Sequence, residues 1–145
     1  IYNIHLQSIR FQQDDFDFFN NQDGTSEDAA NGIKRMIKKL KHAYPLRVAQ
    51  AETILEHAKT SPFPTIICGD FNDTPMSYVY NSFNANFYDA FRGNYFGLGS
   101  TYAGRLPAGR IDYIFYSSDL KAINFSIQNE VHSDHYAITS EMVLK

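Results

Sequence analysis

The stretch SPFPTIICGDFNDTP, residues 61–75, limits what this chain can fold into more than any other. Two prolines close a turn, and Thr65, Ile66, Ile67 and Cys68 then follow without a polar break before Gly69 and Asp70. A strand with one face in water alternates apolar and polar residues, whereas an unbroken apolar run marks a strand buried on both faces. Its abrupt end in Gly69, Asp70, Phe71, Asn72 and Asp73 puts polar side chains at the exit from the core. A plain turn accounts for one such pair; two acids and an amide around a phenylalanine look like a site. In extended chain residues 70 and 72 point to one side and residue 71 to the other. The spacing therefore predicts that Asp70 and Asn72 act together while the Phe71 ring anchors them in the core.

The remaining segments supply elements around that strand. IYNIHLQSIRF alternates Tyr2, Ile4 and Leu6 with Asn3, His5 and Gln7, a strand pattern. The polar stretch after it reads as a loop, although Phe11, Phe16, Phe18 and Phe19 argue against a plain linker. Ser26 followed by Glu27 and Asp28 predicts a helix start, with acidic charge at the positive end of the helix dipole. Ile33, Met36, Ile37 and Leu40 then recur at helical spacing. Pro45 is expected to interrupt, and a second helix from Leu46 to Lys59 is expected to bury Val48, Ala51, Leu55 and Ala58. The basic residues at 34, 35, 38, 39, 41 and 47 read as a solvated outer face, with substrate contact as the lesser alternative. Tyr78 to Phe83 suits a short helix, and the Gly- and aromatic-rich span 90–109 reads as a long loop. Three strands finish the chain: RIDYIFYS, AINFSIQN and YAITSEMVL. An order of strand, helix, helix, strand and then strand after strand predicts an α+β fold with helices covering one side of a sheet.

Composition narrows the function classes. With 145 residues and 43% hydrophobic content the chain fills a single core, which excludes a disordered chain. A formal charge of −3 gives no general pull toward polyanions, so any such substrate falls to local basic residues. Cys68 is the only cysteine, which excludes an internal disulfide and a cysteine-based zinc cluster. The chain opens inside a strand pattern without an initiator Met, and sequence is expected to be missing upstream.

Four short segments place polar groups at strand ends: His5 in NIHLQS, Asp70 and Asn72 in GDFN, Asp112 in RIDYIF, and Asp134 with His135 in HSDHYAI. Together they suit attack of water on a phosphate ester. That reaction needs a base for the water's proton, donors for the phosphoryl oxygens and a hard cation held by carboxylates. Histidine is the side chain whose ordinary pKa lies near neutrality. Adjacent residues on a strand diverge, so Asp134 and His135 require a turn to serve one site. Arg110 either contacts phosphate or pairs with Asp112. Taken singly, these are turn formers, surface or core histidines and a structural acid; as an ordered set, the functional reading outweighs that one.

These segments, in this order, resemble the endonuclease/exonuclease/phosphatase superfamily, which includes pancreatic deoxyribonuclease, abasic-site endonucleases, inositol polyphosphate 5-phosphatases and bacterial sphingomyelinases. The resemblance runs from His5 to His135 and covers the C-terminal half of that domain, so residues 1–145 are expected to be its C-terminal portion. It implies an α+β fold that is part of a four-layer αββα sandwich of the deoxyribonuclease-I type, with the N-terminal half missing. It further implies catalytic roles for His5, Asp70, Asn72, Asp112 and His135. His135 would face the scissile phosphate, Asp112 would orient it, and Asp70 would position or deprotonate water. Asn72 would donate to the phosphate, with Arg110 as a second substrate contact, and His5 would touch the phosphate or serve the leaving group. Asp134 would lie at a divalent metal, Mg²⁺ or Mn²⁺.

Family members take an Asn and the principal metal-binding Glu from their N-terminal half, and neither is located here. Weak or no activity is therefore expected of this fragment alone, with Mg²⁺-dependent activity in the whole domain. The substrate class implied is a phosphate ester: nucleic acid, phospholipid head group or small molecule. Phe91, Tyr95, Phe96 and Tyr102 either stack on a substrate group or pack within their loop. A half sandwich also exposes sheet surface, from which self-association is expected. Some Bacteroidetes-type members carry membrane segments before the catalytic domain, so a membrane anchor on the parent protein stays open. Two rival readings stand beside the enzyme: a catalytically dead phosphate- or nucleic-acid-binding module, and an assembly role.

Overall fold

The computed structural model describes residues 1–9, 26–104 and 109–145. The phenylalanine-bearing stretch before Ser26 lies outside the described residues apart from its flanks. Strand β1 (Tyr2–His5) is followed by helix α1 (Ser26–Lys59), β2 (Ile66–Asp70), helix α2 (Tyr78–Asn84), β3 (Tyr88–Asp89), β4 (Asp112–Tyr116), β5 (Leu120–Ile127) and β6 (Ile138–Leu144). Four strands form one sheet in the order β1-β2-β4-β3, and β5 and β6 form a separate hairpin. β1 runs parallel to β2, while β4 is antiparallel to both β2 and β3.

The apolar run of β2 is covered on both sides, as its sequence predicts, with Ile67 wholly buried and Ile66 and Cys68 half-buried. On one face Ile67, Tyr113 and Phe115 join Phe71, Ala51, Leu55 and Ala58 of α1, and Val79, Tyr80 and Phe83 of α2. On the other face Ile66, Ile114 and Tyr116 meet Leu120, Ala122 and Phe125 of the hairpin. Successive strand residues alternate between the two clusters, so one sheet separates a helical layer from a β layer. The outer side of the hairpin leaves Ile123, Val143 and Leu144 exposed.

The expected break at Pro45 is corrected by the structure. A single 34-residue helix runs from Ser26 to Lys59 with Pro45 inside it. An interior proline costs a helix about 3 kcal/mol, through a lost N–H and a clash with the preceding turn. Here Pro45 and Lys41, whose carbonyl loses its partner, are both exposed, so water can take the carbonyl. Among the described residues no helix is long and apolar enough to cross a membrane.

Gly69 fixes the spacing of the two parallel strands. It has φ 136°, and a Cβ at this position would collide with the carbonyl oxygen of its register partner Ile4. Only glycine allows β1 to lie that close to β2 here.

Candidate active site

The sheet brings three of the expected groups into one row. His5 is registered with Asp70 across β1 and β2, and Asp70 with Asp112 across β2 and β4. His5 Nε2 lies 3.5 Å from Asp70 Oδ2, with the imidazole largely exposed. His135 arrives from the other side, on the segment leading into β6. Its Nδ1 is 2.9 Å from Asp112 Oδ2 and its Nε2 is 4.0 Å from Asp70 Oδ2. With Nδ1–H donated to Asp112, Nε2 is the nitrogen that faces the open side of the site.

Asp70 and Asn72 do meet, but not by extended spacing. Asn72 is the one non-glycine among the described residues in the left-handed region, with φ 52°. Asparagine tolerates that conformation better than most residues. Its backbone N–H donates to Asp70 Oδ1 at 2.7 Å, closing a side-chain-capped turn. Its amide then donates to Asp70 Oδ2 at 2.8 Å and to the Leu6 carbonyl at 3.0 Å. Both amide hydrogens are thus spent within the protein, so Asn72, expected to donate to phosphate, instead clamps Asp70 and β1 together. Phe71 anchors this turn as expected: it is fully buried, with the rings of Phe83, Tyr113 and Phe115 around it.

Burial pushes the Asp70 carboxyl above its ordinary range. The Asn72 N–H opposes this, the Asp112 charge adds to it, and the two histidines pull it back. For His135 burial acts to lower the pKa, but the hydrogen bond and charge of Asp112, followed by Asp70 and Asp134, outweigh it and hold the imidazole above its usual value. A carboxyl made more basic beside an imidazole made more basic is a combination suited to moving protons near neutrality.

Two expected residues stand elsewhere. Arg110 does not face the cleft: it is buried, its Nη1 lies 2.7 Å from Asp89 Oδ2, and its guanidinium packs over the rings of Phe91, Tyr80 and Tyr113. Tyr80 completes this cage by donating to Asp89 at 2.8 Å. A cation enclosed and paired in this way is unavailable to substrate, which corrects its assignment as a phosphate contact. Asp134 lines the cleft, but its side chain is exposed and its carboxylate stands outside the tight cluster of donors. The turn expected at HSDH is present, held by the Ser133 hydroxyl against the His135 N–H at 2.9 Å.

One contributor, Thr101, escapes the sequence reading, and two depart from it: Tyr102 lies against His135, and Arg47, expected on a solvated face, is buried. Thr101 is fully buried, and its hydroxyl accepts from the N–H groups of Ile111 and Asp112 at 3.0 and 3.1 Å, fixing the start of β4. Tyr102 pairs with His135 through an isolated bridge and sets its ring edge-on against the imidazole, with centroids 5.3 Å apart. Arg47 of α1 is 3% exposed and lies 3.1 Å from Asp73, just past Asn72, while its Nε donates to the Gln7 carbonyl. The pair is made through Nη1, and among the described residues Arg47 Nη2 and Asp73 Oδ2 are buried without hydrogen-bond partners. A cation interrupting the apolar stripe between Tyr44 and Ala51 is the signal that marks it. Of the loop aromatics, Phe91 and Tyr95 pack with each other and with Phe125, whereas Phe96 is almost wholly exposed.

The site opens into a cleft of about 1140 Å³ lined by His5, Asp70, Asn72, Asp112, Asp134 and His135 on the strand side and by Leu40, Lys41, Tyr44 and Arg47 on the helix side. Donor atoms of Asp70, Asp112 and His135 all lie within 4.8 Å of one another. Two carboxylates and an imidazole at that separation fit one divalent cation, and the donor set suits Mn²⁺ as well as Mg²⁺.

The model of the Endonuclease/Exonuclease/phosphatase family matches residues 41–135, which takes in Asp70, Asn72, Asp112, Asp134 and His135 but not His5. No curated protein gives a match. An endonuclease/exonuclease/phosphatase from Bacteroides vulgatus is similar in structure, with TM-score 0.61, 26% identity, 70% of this chain and 45% of that chain covered. A mannosyl-6-phosphatase of Bacteroides thetaiotaomicron superposes with TM-score 0.56 and 22% identity over 69% of this chain and 46% of that one. The human Nocturnin catalytic domain, solved with a bound sulfate anion, gives TM-score 0.53 and 21% identity, with 74% and 42% covered. The chain therefore spans less than half the length of these solved structures.

Proposed function

Because the chain belongs to the Endonuclease/Exonuclease/phosphatase family, we propose that it supplies the His135–Asp112–Asp70 centre of a metal-dependent phosphoesterase that hydrolyses a phosphodiester or phosphomonoester with activated water. The observation that carries this reading is the junction of His135 with both carboxylates, 2.9 Å from Asp112 and 4.0 Å from Asp70, at the floor of an open cleft. Asp112 holds the imidazole by Nδ1 and leaves Nε2 toward the reacting group. Asp70, made more basic by burial and held on both oxygens by Asn72, takes the proton of the attacking water. His135 in its protonated form faces the charge that develops on the phosphoryl oxygens. His5, exposed at the end of β1, is placed to meet the phosphate or the leaving group.

Carboxylate oxygens of this cluster, with Asp134 nearby, would hold a divalent cation, and the cation would supply Lewis-acid charge to the phosphoryl group while His135 keeps its protons. Mg²⁺ or Mn²⁺ is the ion proposed. The solved relatives are more than twice the length that this chain covers of them, and we place the full activity in a domain that includes their remaining part, with weak or no turnover from these 145 residues alone. A phosphate- or nucleic-acid-binding module without turnover is the second reading.

The test is hydrolysis of bis-p-nitrophenyl phosphate and of p-nitrophenyl phosphate with Mg²⁺ or Mn²⁺, with and without chelator. Asp70→Asn and His135→Ala should each lower turnover by roughly 10²- to 10⁴-fold, the range for loss of an acid–base group. Undiminished turnover in both variants refutes the site. Tight phosphate binding with no turnover in any form of the domain selects the second reading.

A further inference from the structure

Helix α1 bears one continuous stripe at positions 33, 37, 40, 44, 47, 51, 55 and 58, stepping by three and four residues along a single face. From Ala51 onward the stripe is buried against the sheet. Before Arg47 it is open: Ile33, Ile37, Leu40 and Tyr44 are 48%, 45%, 42% and 42% exposed. The reason is length. A helix of 34 residues spans roughly 51 Å, while five-residue strands cover only about 17 Å. The N-terminal half of α1 overhangs the sheet, and it does so at the site, since Leu40, Lys41 and Tyr44 form a wall of the catalytic cleft.

The flanks of the overhang carry one sign of charge. Residues 33–44 include Lys34, Arg35, Lys38, Lys39 and Lys41 and no acid, within a chain whose net charge is −3. Lys34, Lys38 and Lys41 border one side of the stripe, while Arg35 lies on the back of the helix. Among the described residues Lys34, Arg35, Lys38 and Lys41 make no ion pair.

We infer that this overhanging face docks on an anionic membrane surface, seating the mouth of the cleft on the bilayer and making phospholipid head groups the substrate class. Aliphatic side chains flanked by lysines are the composition of a helix that lies in a membrane interface, with its apolar face at the acyl boundary and its cations among anionic head groups. The stripe itself is aliphatic apart from Tyr44, so it lacks the run of aromatic platforms that hold single-stranded bases. A second copy seated face to face would set lysine row against lysine row, which disfavours that occupant. The docking half of the inference stands on the helix alone; the substrate half rests on the phosphoesterase reading.

Vesicle co-sedimentation in the presence of chelator tests the docking without turnover, using phosphatidylcholine vesicles with and without phosphatidylserine. The protein should sediment with phosphatidylserine-containing vesicles and be released by salt. Ile37→Glu/Leu40→Glu and Lys34→Glu/Lys38→Glu should each weaken binding roughly tenfold or more, with unfolding curves close to those of the parent. Failure to bind, equal binding to neutral vesicles, or binding indifferent to both pairs overturns the inference. Stronger binding to an oligonucleotide that depends on the lysine pair alone also overturns it, in favour of nucleic acid. Vesicle binding retained by Asp70→Asn, with hydrolysis absent in every form, keeps the docking and removes the phosphoesterase reading. Hydrolysis of soluble esters without vesicle binding does the reverse.

Discussion

The two halves of helix α1 share one sequence pattern and meet opposite fates. Ala51, Leu55 and Ala58 are buried to within a few per cent, whereas Ile33, Ile37, Leu40 and Tyr44 on the same face stay more than 40% exposed. Helical periodicity therefore reports which face of a helix is apolar, but it does not report whether anything lies opposite. In the covered half the stripe builds the core; in the overhanging half it builds a wall of the cleft. Arg47 marks the boundary, where the helix passes from one duty to the other.

The sharpest way to break this comparison is at the boundary. Arg47→Met leaves the Asp73 carboxylate, 13% exposed, without its cation. Stripping one partner from a largely buried pair costs about 3–5 kcal/mol, and urea unfolding should show it. The double variant Arg47→Met/Asp73→Asn should recover most of that loss, and if it does not, Arg47 matters through its packing alone. The next effect contrasts the halves directly. Leu55→Ala should destabilise by about 2–5 kcal/mol, as large-to-small core changes do, and Leu40→Ala by about 0.5 kcal/mol or less. Equal losses in the two variants would mean that both halves are packed alike.

The smallest effect lies across the cleft from the helix. With its pKa raised in the folded state, His135 contributes stability that is fully present below the unfolded value of about 6.5 and is lost as pH rises through the folded value. In metal-free protein its imidazole resonances should titrate above the midpoint of an unstructured histidine, and Asp112→Asn should move that midpoint down. A His135 midpoint indifferent to Asp112→Asn would detach the two residues.

How far the sequence could be read depended on how local each cause was. The run from Thr65 to Cys68 announced a strand covered on both sides because burial on two faces leaves its mark in consecutive residues. GDFN announced that Asp70 and Asn72 would meet, yet the route differs: Asn72 turns back in the left-handed region rather than continuing extended chain. Pro45 misled because its penalty is local and modest, while the stripe on either side continues in register. Arg110 and Arg47 show the limit most clearly. Two residues before Asp112 in the chain, Arg110 reads as a phosphate contact, but the cage that encloses it comes from Tyr80, Asp89 and Phe91, positions that no local pattern links to it. The meeting of Asp112 with His135, 23 positions apart, likewise depends on Thr101 and Tyr102 of the loop that precedes β4. The two-residue strand β3 is too short to show any period at all.

The close seat of Gly69 against Ile4 carries one more consequence. Because the gap between those backbones has no room for even a methyl group, alanine at this point would act as a shim, prising His5 off Asp70 while leaving every reactive atom in the protein chemically intact. The tolerance of this centre is thus set by a missing carbon, one residue upstream of the acid that it serves.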